Sequence, residues 1–359
     1  MGAFTGRCTV KYVIIPALVA AAITSIAGPA RAEDTWTDPF PGVRHLHRVT
    51  ANPNQNINVL EVDLCQDGIS FRATKFDERG QRTSNFGASV GAQAAVNGDF
   101  FVSGFGLERG FAVGDGEPWP ASSIADDPST GQVAIGENRL ELIPDWVVQE
   151  PEDWMHEAVG GRPTVLSDGS IPDTSGHATL CQRNPRTSIG LSEDGRTLFI
   201  AVVDGRATSR VGMTCTELGE FMQGLGAHNA LNMDGGGSST MWLEGEGVLN
   251  YPTDGSERTV GNHLALVASG EGPAQACPLS RASRASRSSG ATGTSLRSAT
   301  FEASAVDAES SGGCAMARRS SWTMGPGIMM VSLFAARLLR RLRGKKRFRL
   351  VEISRDKIM

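Results

Sequence analysis

The stretch ALNMDGGGSSTMW, Ala230 to Trp242, sets one carboxylate, Asp234, against three consecutive glycines and two serines. Ordering three glycines is entropically expensive, so a fixed Gly235, Gly236 and Gly237 imply that something needs bare backbone at close range. Successive backbone N–H groups in a turn can cradle an anion, and Ser238 and Ser239 add hydroxyl donors. A phosphate-binding P-loop would need Gly-Lys-Ser/Thr opening a helix, and no lysine stands here. The chemistry on offer is a carboxylate beside an anion cradle; the plainer alternative is a tight strand-to-strand turn. Asp204 is a second carboxylate, at the end of the apolar run TLFIAVVDGR, although Asp-Gly is also a common turn pair. Asn97 and Gly98 close a third apolar segment, GAQAAVNGDFF, with a turn signal, and Asp99 follows them.

Positioning these groups requires strands. INVLEVDL and ISFRATKF alternate and are separated by a turn at Asp67-Gly68, and GQVAIGENRLELI reads as a hairpin over Gly136, Glu137 and Asn138. GGRPTVLSDGSI reads as a strand and a turn. TLFIAVV is a strand, TCTELGEFMQGLG a helix with Thr214 and Glu217 at capping-box spacing, and NALNMD the next strand. Leu218, Phe221, Met222 and Leu225 form the apolar face of that helix, and Gly226 ends it. If the two strands run parallel as neighbours, Asp204 and Asp234 face one edge of the sheet, where open α/β sheets place ligands. The expected class is α/β, in the mixed α+β sense: a mixed β-sheet core with packed helices in one catalytic domain.

Of the 359 residues, not all belong to that fold. Residues 1–32 carry Arg7 and Lys11, an apolar run and Ala30-Arg31-Ala32, the pattern of a signal peptide cut before Glu33. Residues 271–313 are rich in Ser, Ala and Gly and read as a disordered linker. Residues 314–359 follow Cys314 with a short apolar stretch and an arginine-rich tail, similar to the surface-sorting tags of myxobacteria; such a tag would anchor the chain in a membrane with its basic cluster inside. The folded region is then 33–270. The net charge of −5 includes that basic tail, so the core is more acidic still, and no basic stripe suggests nucleic acid. Cys65, Cys181, Cys215 and Cys277 allow two disulfides in any of three pairings. No Cys/His cluster has metal-ligand spacing, so no metal site or cofactor is assigned, although Asp99, Asp204 and Asp234 leave a shared divalent metal open.

Five separated motifs, NGDFF, CQRNPRTSIG, TLFIAVVDGR, NALNMDGGGSSTMW and SERTVGNHLALVA, occur in an order that resembles the phosphodiester glycosidase family. The resemblance covers about Ala95 to Ala268. It implies a mixed α/β fold with the motifs gathered in one cleft, and hydrolysis of the C1–O bond of a sugar-1-phosphodiester such as one of N-acetylglucosamine. It also implies site roles for Asn97 and Gly98, for Arg186 and Thr187, for Asp204, for Asp234 through Ser239, and for Arg258 with Asn262. Asp99 stands where many relatives have glycine, and Asn184 where some have histidine, so a histidine mechanism at that place is not available.

Expelling a phosphate monoester needs donors for the departing phosphate and a carboxylate at the cationic anomeric carbon. Asp234 is therefore expected as nucleophile or base, Asp204 as its partner and Arg186 as the planar fork for phosphate. Arg258 or the glycine-turn N–H groups would assist. Arg186 could instead be an internal ion pair of Asp204. His177 and His228 stay outside the expected site. Two rivals are a phosphodiesterase that cuts P–O and a non-catalytic carbohydrate-binding surface protein. An exported, surface-held hydrolase would meet envelope polymers with sugar-phosphate linkages.

Overall fold

Several of the runs that read as strands, among them β8 and β13, are buried on both faces, and the arrangement of three sheets explains why. A computed structural model describes residue 2 and residues 32–120 and 130–278, all within a unit spanning Met1–Thr294. The expected signal peptide apart from residues 2 and 32, the linker beyond residue 278 and the sorting segment with Cys314 lie outside the described residues.

In chain order the strands are β1 (Glu33–Phe40), β2 (Val43–Ala51), β3 (Asn54–Asp63), β4 (Ile69–Ala73), β5 (Ala94–Asn97), β6 (Val113–Gly114), β7 (Glu117–Pro118), β8 (Gly131–Gly136) and β9 (Arg139–Ile143). They continue with β10 (Glu157–Gly161), β11 (Thr164–Leu166), β12 (Arg186–Leu191), β13 (Thr197–Val203), β14 (Asn229–Asn232), β15 (Met241–Leu243), β16 (Gly247–Val248) and β17 (His263–Ala268). The α-helices among the described residues are α1 (Thr83–Ser89) and α2 (Cys215–Leu225). Three sheets result, ordered β1-β2-β3-β13-β12-β14-β11, β7-β6-β10-β8-β9 and β16-β15-β5-β17-β4.

Every described strand pairing is antiparallel. The expected β-sheet core with packed helices forms, but strands predominate, helices are few and the described pairings include no parallel one. Alternation along β3 and β13 explains the apolar runs. Leu60, Val62, Ile200 and Val202 face a core shared with both smaller sheets, through Val133, Val159, Val96 and Leu264. Val59, Ala201 and Val203 face the other way, under Leu218 and Met222 of α2. Burial of strands on both faces produces continuous rather than alternating hydrophobicity.

The helix forms as its sequence dictates. Thr214 Oγ1 accepts from Glu217 N, Glu217 Oε2 accepts from Thr214 N, and Gly226 takes the left-handed C-terminal conformation at φ 104°. The hairpin β8–β9 also forms, with Asn138 at φ 56°. The strands on either side of Asp67-Gly68 do not pair with each other: β3 joins the seven-stranded sheet and β4 the third. Nor are β13 and β14 adjacent, because β12 lies between them, antiparallel to both. They still run in the same direction, so Asp204, Asp234 and the start of β12 at Arg186 share one sheet edge.

The fold continues past residue 270. Gln275 bonds to the backbone of Ile69 and Phe71, and Cys277 is joined to Cys65. The second disulfide, Cys181–Cys215, ties the loop before β12 to the first residue of α2. Geometry selects this pairing among the three that cysteine count allowed.

Candidate active site

The seven-stranded and third sheets meet at the end of β5. Asn97, buried, joins them: its Nδ2 donates to Asp234 O (2.7 Å), and its Oδ1 accepts from Thr187 Oγ1 (2.8 Å) and Thr240 N (3.1 Å). Gly98 N donates to Asn262 O, and Gly98 O accepts from Asp234 N, both at 3.0 Å. A Cβ on Gly98 would run into Asn262 Oδ1, so the strand junction needs bare backbone there. Asn97, Gly98 and Thr187 were expected to touch substrate; the structure uses them as the joint that holds Asp234 and Asp99 in place.

Asp99 is buried directly after this joint. Asn262 Nδ2 donates to its Oδ2 at 2.5 Å, its own N–H donates to Asn262 Oδ1 at 2.7 Å, and the Gly160 N–H also binds its carboxylate. Asn262 is therefore a clamp on Asp99. A side chain on Gly160 would overlap Asp99 Oδ1, and one on Gly161 would meet Asn232 O, which gives each glycine at the end of β10 a reason to be there. Burial, together with repulsion from Asp234, pushes the Asp99 carboxyl up to about 7 against the opposing effect of its hydrogen bonds.

Asp234 leaves β14 toward the same point and keeps part of its surface open to solvent. Its Oδ1 accepts from Gly235 N at 2.9 Å, and the Ser238 hydroxyl also bonds to the carboxylate. Burial raises its pKa to about 6; Ser238, Gly235 and the positive charge of Arg258 pull it down, and Glu108 pushes it up. Two carboxyls that feel each other thus titrate near neutrality at one spot.

What approaches the three glycines is a pair of arginines. A Cβ on Gly236 would meet the Arg206 guanidinium, and one on Gly237 would collide with that of Arg258. Gly236 is also at φ 63°, open to glycine at no steric cost. Arg206 Nε donates to Asn184 Oδ1 (3.1 Å); Arg258 is held by Asp254 (2.7 Å) and reaches Ser238 Oγ at 3.4 Å. The expected anion nest is largely occupied from within, because Gly235 N serves Asp234, Gly236 N serves Pro185 O and Ser238 N serves Gly235 O. Ser239 is buried, its carbonyl taken by Asn250 Nδ2 and its hydroxyl without a partner.

Two expected catalytic residues lie elsewhere on this edge. Arg186 is 2 % exposed; its guanidinium donates to Met213 O (2.9 Å), Leu180 O (3.0 Å), Asn232 Oδ1 (3.4 Å) and Gln182 O. Burial lowers its pKa to about 10. A fork spent on internal acceptors cannot also grip a phosphate, so Arg186 braces the loop before β12, beside the Cys181–Cys215 bridge. Asp204 is 1 % exposed and accepts from Tyr251 N (2.9 Å) and Asn56 Nδ2 (2.6 Å), with Arg210 Nε at 3.9 Å; burial raises its pKa. It anchors β13 to β3 and to the segment after β16, and its bond partners do not include Arg186.

The sequence reading missed Arg206, Glu108, Arg162 and Gly160. Arg206 was visible as the last residue of the Asp-Gly-Arg motif; nothing local marked Glu108, which matters only because the fold brings its charge to Asp234. His177 and His228 pair with Asp145 (3.6 Å) and Asp168 (3.8 Å), outside this site. Among the described residues no three His, Cys, Asp or Glu side chains gather as a metal would require, and Asp204 does not join Asp99 and Asp234.

The model of the phosphodiester glycosidase family matches residues 90–267, a span containing every residue of this site. The mouse N-acetylglucosamine-1-phosphodiester alpha-N-acetylglucosaminidase is 27% identical over 237 residues, 61% of this chain and 44% of the mouse protein. The human enzyme of the same name is 27% identical over 176 residues, 45% of this chain and 34% of its own. The chain thus spans less than half the length of these relatives. A solved structure of the zebrafish enzyme's catalytic domain aligns with a TM-score of 0.47 and 19% identity, covering 67% of this chain and 84% of that one. The family match and the relatives' names support an enzyme of the phosphodiester glycosidase type.

Proposed function

We propose that this protein hydrolyses the glycosidic C1–O bond of a sugar-1-phosphodiester, releasing free sugar and a phosphate monoester. The observation that carries the proposal is the pair Asp234 and Asp99, raised to about 6 and about 7, beside a glycine turn framed by Arg206 and Arg258. In this reading the two arginines hold the phosphate and neutralise the charge it gains as C1–O breaks. Asp234, ionised above about pH 6, supplies its carboxylate to the cationic anomeric centre as nucleophile or base. Asp99, still protonated below about pH 7, is the proton-carrying partner, the role expected of Asp204 from the sequence. Water's hydroxyl ends on C1 and its proton on the phosphate oxygen. Arg186, Asn97, Thr187 and Asn262 are positioning residues.

The relatives' names suggest N-acetylglucosamine as the sugar. Two disulfides suit an oxidising compartment, in keeping with an N-terminal signal and a C-terminal surface tag. Envelope polymers joined by sugar-phosphate linkages are then substrates within reach.

The test is hydrolysis of an α-N-acetylglucosaminyl phosphodiester in ¹⁸O-water by the wild type and by Asp234→Asn, with products read by mass spectrometry. Label on the sugar, lost in the variant, supports C–O cleavage at this site. Label on the phosphate means P–O cleavage, and no turnover across a panel of sugars favours a binding protein.

A further inference from the structure

As a neutral acid, Asp99 needs a partner that its own bonds do not supply. Its carboxylate is bonded by Asn262 Nδ2 at 2.5 Å and by the N–H groups of Gly160 and of Asp99 itself, all of them donors. An ionised carboxylate only accepts, so these three suit the charged form; a protonated one also carries an O–H that needs an acceptor. Asn262 cannot reverse to provide it, because its Oδ1 already accepts from Asp99 N at 2.7 Å. Burial nonetheless keeps the proton on Asp99 up to about pH 7.

An acceptor stands one strand away. Gln132 of β8 is fully buried, and among the described residues neither Oε1 nor Nε2 of its amide has a hydrogen-bond partner. Buried amides are almost always bonded, so one with both ends open points to something that it holds. Gln132 lies directly opposite Gly160 in the β8–β10 ladder, and side chains at such a pair project from the same face with Cβ atoms about 5 Å apart. Gly160 has no side chain, and the place of its Cβ lies 2.3 Å from Asp99 Oδ1. Asp99 Oδ1 thus stands where the cross-strand neighbour of Gln132 would be. Gly110, at φ 74°, closes another side: a Cβ there would lie 2.8 Å from Gln132 Nε2. Gln132 is not bonded to Asp99 directly, and a single water between two buried polar groups suits the place.

Several charged or titratable groups surround this pair. Asp234 acts on Asp99 through its charge. Glu108 and Arg109 precede Gly110 in the chain, and Glu108 is paired at 2.7 Å with Arg162, just after β10. His263, next to Asn262, is bonded to Thr74 Oγ1 and Gln81 O. We infer that Gln132 is a positioning residue for the acid: its amide oxygen, across one bound water, accepts a hydrogen bond from protonated Asp99 and so holds that carboxyl neutral. The inference rests on the activity proposed above, in which Asp99 carries the proton, and names the residue that keeps it there.

The experiment uses the full chain with two variants: Gln132→Met, similar in length and without an acceptor, and Gln132→Glu, which sets a second carboxyl beside Asp99. A hydrogen bond from the neutral acid favours that form, so its loss in Gln132→Met is expected to move the alkaline limb of sugar release down by about one pH unit. Gln132→Glu is expected to move the limb up, because neighbouring carboxyls share a proton. A limb that stays in place or rises in Gln132→Met overturns the assignment. So does a higher melting temperature of that variant, which would mean that the wild-type amide is simply unpaired. Carbon-13 NMR of the wild type reads the same contact without turnover: the Gln132 side-chain carbonyl is expected to titrate with the midpoint of the Asp99 carboxyl. If an α-N-acetylglucosaminyl phosphodiester is not cleaved, the proposed activity fails and this titration decides alone. A Gln132 signal that does not follow Asp99 overturns the contact, whether or not the variants fold.

Discussion

Two aspartates leave β13 and β14 at the same edge of the seven-stranded sheet, and their surroundings could hardly differ more. Asp204 has a donor on each oxygen, Tyr251 N and Asn56 Nδ2, and almost no exposed surface; its neighbour Arg186 spends its guanidinium on three carbonyls and an amide. Asp234 keeps an open side, acts through its charge on a second carboxylate, Asp99, and is bonded by Gly235 N and the Ser238 hydroxyl within the field of Arg258. Asp204, with its bonds supplied by the fold and no carboxylate among the charges acting on it, acts as a brace, whereas Asp99, also bonded by the fold, feels the charge of Asp234. A charge left partly open to solvent, with its pKa moved toward neutrality, is available for reaction. Residue type and motif position were the same kind of evidence for both; only the partners separate them.

The contrast is sharpest at Asp234. Asp234→Asn should lower sugar release by about 10³-fold, within the range for losing an acid–base or nucleophilic group, while leaving the folded state intact. Initial rates beside a thermal melt measure both; a variant that melts early instead of losing rate would put Asp234 among the braces. Asp99→Asn should cost about 10²-fold. Because Asp99 must hold its proton, wild-type activity should rise through about pH 6 as Asp234 ionises and fall through about pH 7 as Asp99 does. The alkaline limb should vanish from the pH–rate profile of Asp99→Asn, and its persistence would assign that limb to another group.

The braces should answer in the opposite currency. Asp204→Asn leaves one of two buried donors without an acceptor and should cost about 2 kcal/mol of stability in urea unfolding, with kcat of the folded enzyme changed less than about threefold. A rate loss approaching that of Asp234→Asn would return Asp204 to the reaction. A separate effect is on stability against pH. Asp99 and Asp234 have folded pKa values raised above the ordinary carboxylate value of 3.8. The folded state therefore holds more protons, and their contribution, present in full below about pH 4, is lost as pH rises through about 6 to 7. Unfolding free energy should decline across that window in the wild type and less steeply in Asp99→Asn.

Much of the frame was legible from local signals. Thr214, Glu217 and Gly226 fixed the ends of α2 because capping is a property of a few adjacent residues, and the hairpin at Asn138 follows from turn chemistry alone. The glycine run after Asp234 announced a close approach, and the arginines over Gly236 and Gly237 are what approaches. The strand order was not legible: β12 lies between β13 and β14, although it precedes both in the chain, and a hydrophobic pattern says which face is buried without saying what the strand's neighbour is.

By itself, then, the sequence determined the strands β3, β4, β5, β8, β9, β11, β13 and β14 and the helix α2, that Asp234 sits before a backbone free of side chains, and that four cysteines were available for two bridges. Only the tertiary structure decided which carboxylate is Asp234's partner, which arginines face the turn and which cysteines pair. Capping, turns and strand burial depend on neighbours within a few residues. The partners of a charge come from segments far apart in the chain: Asn262 and Gly160 on Asp99, Glu108 acting on Asp234, and Met213 on Arg186. Desolvation and hydrogen bonding set a side chain's chemistry, and both are fixed only when the sheets close over it.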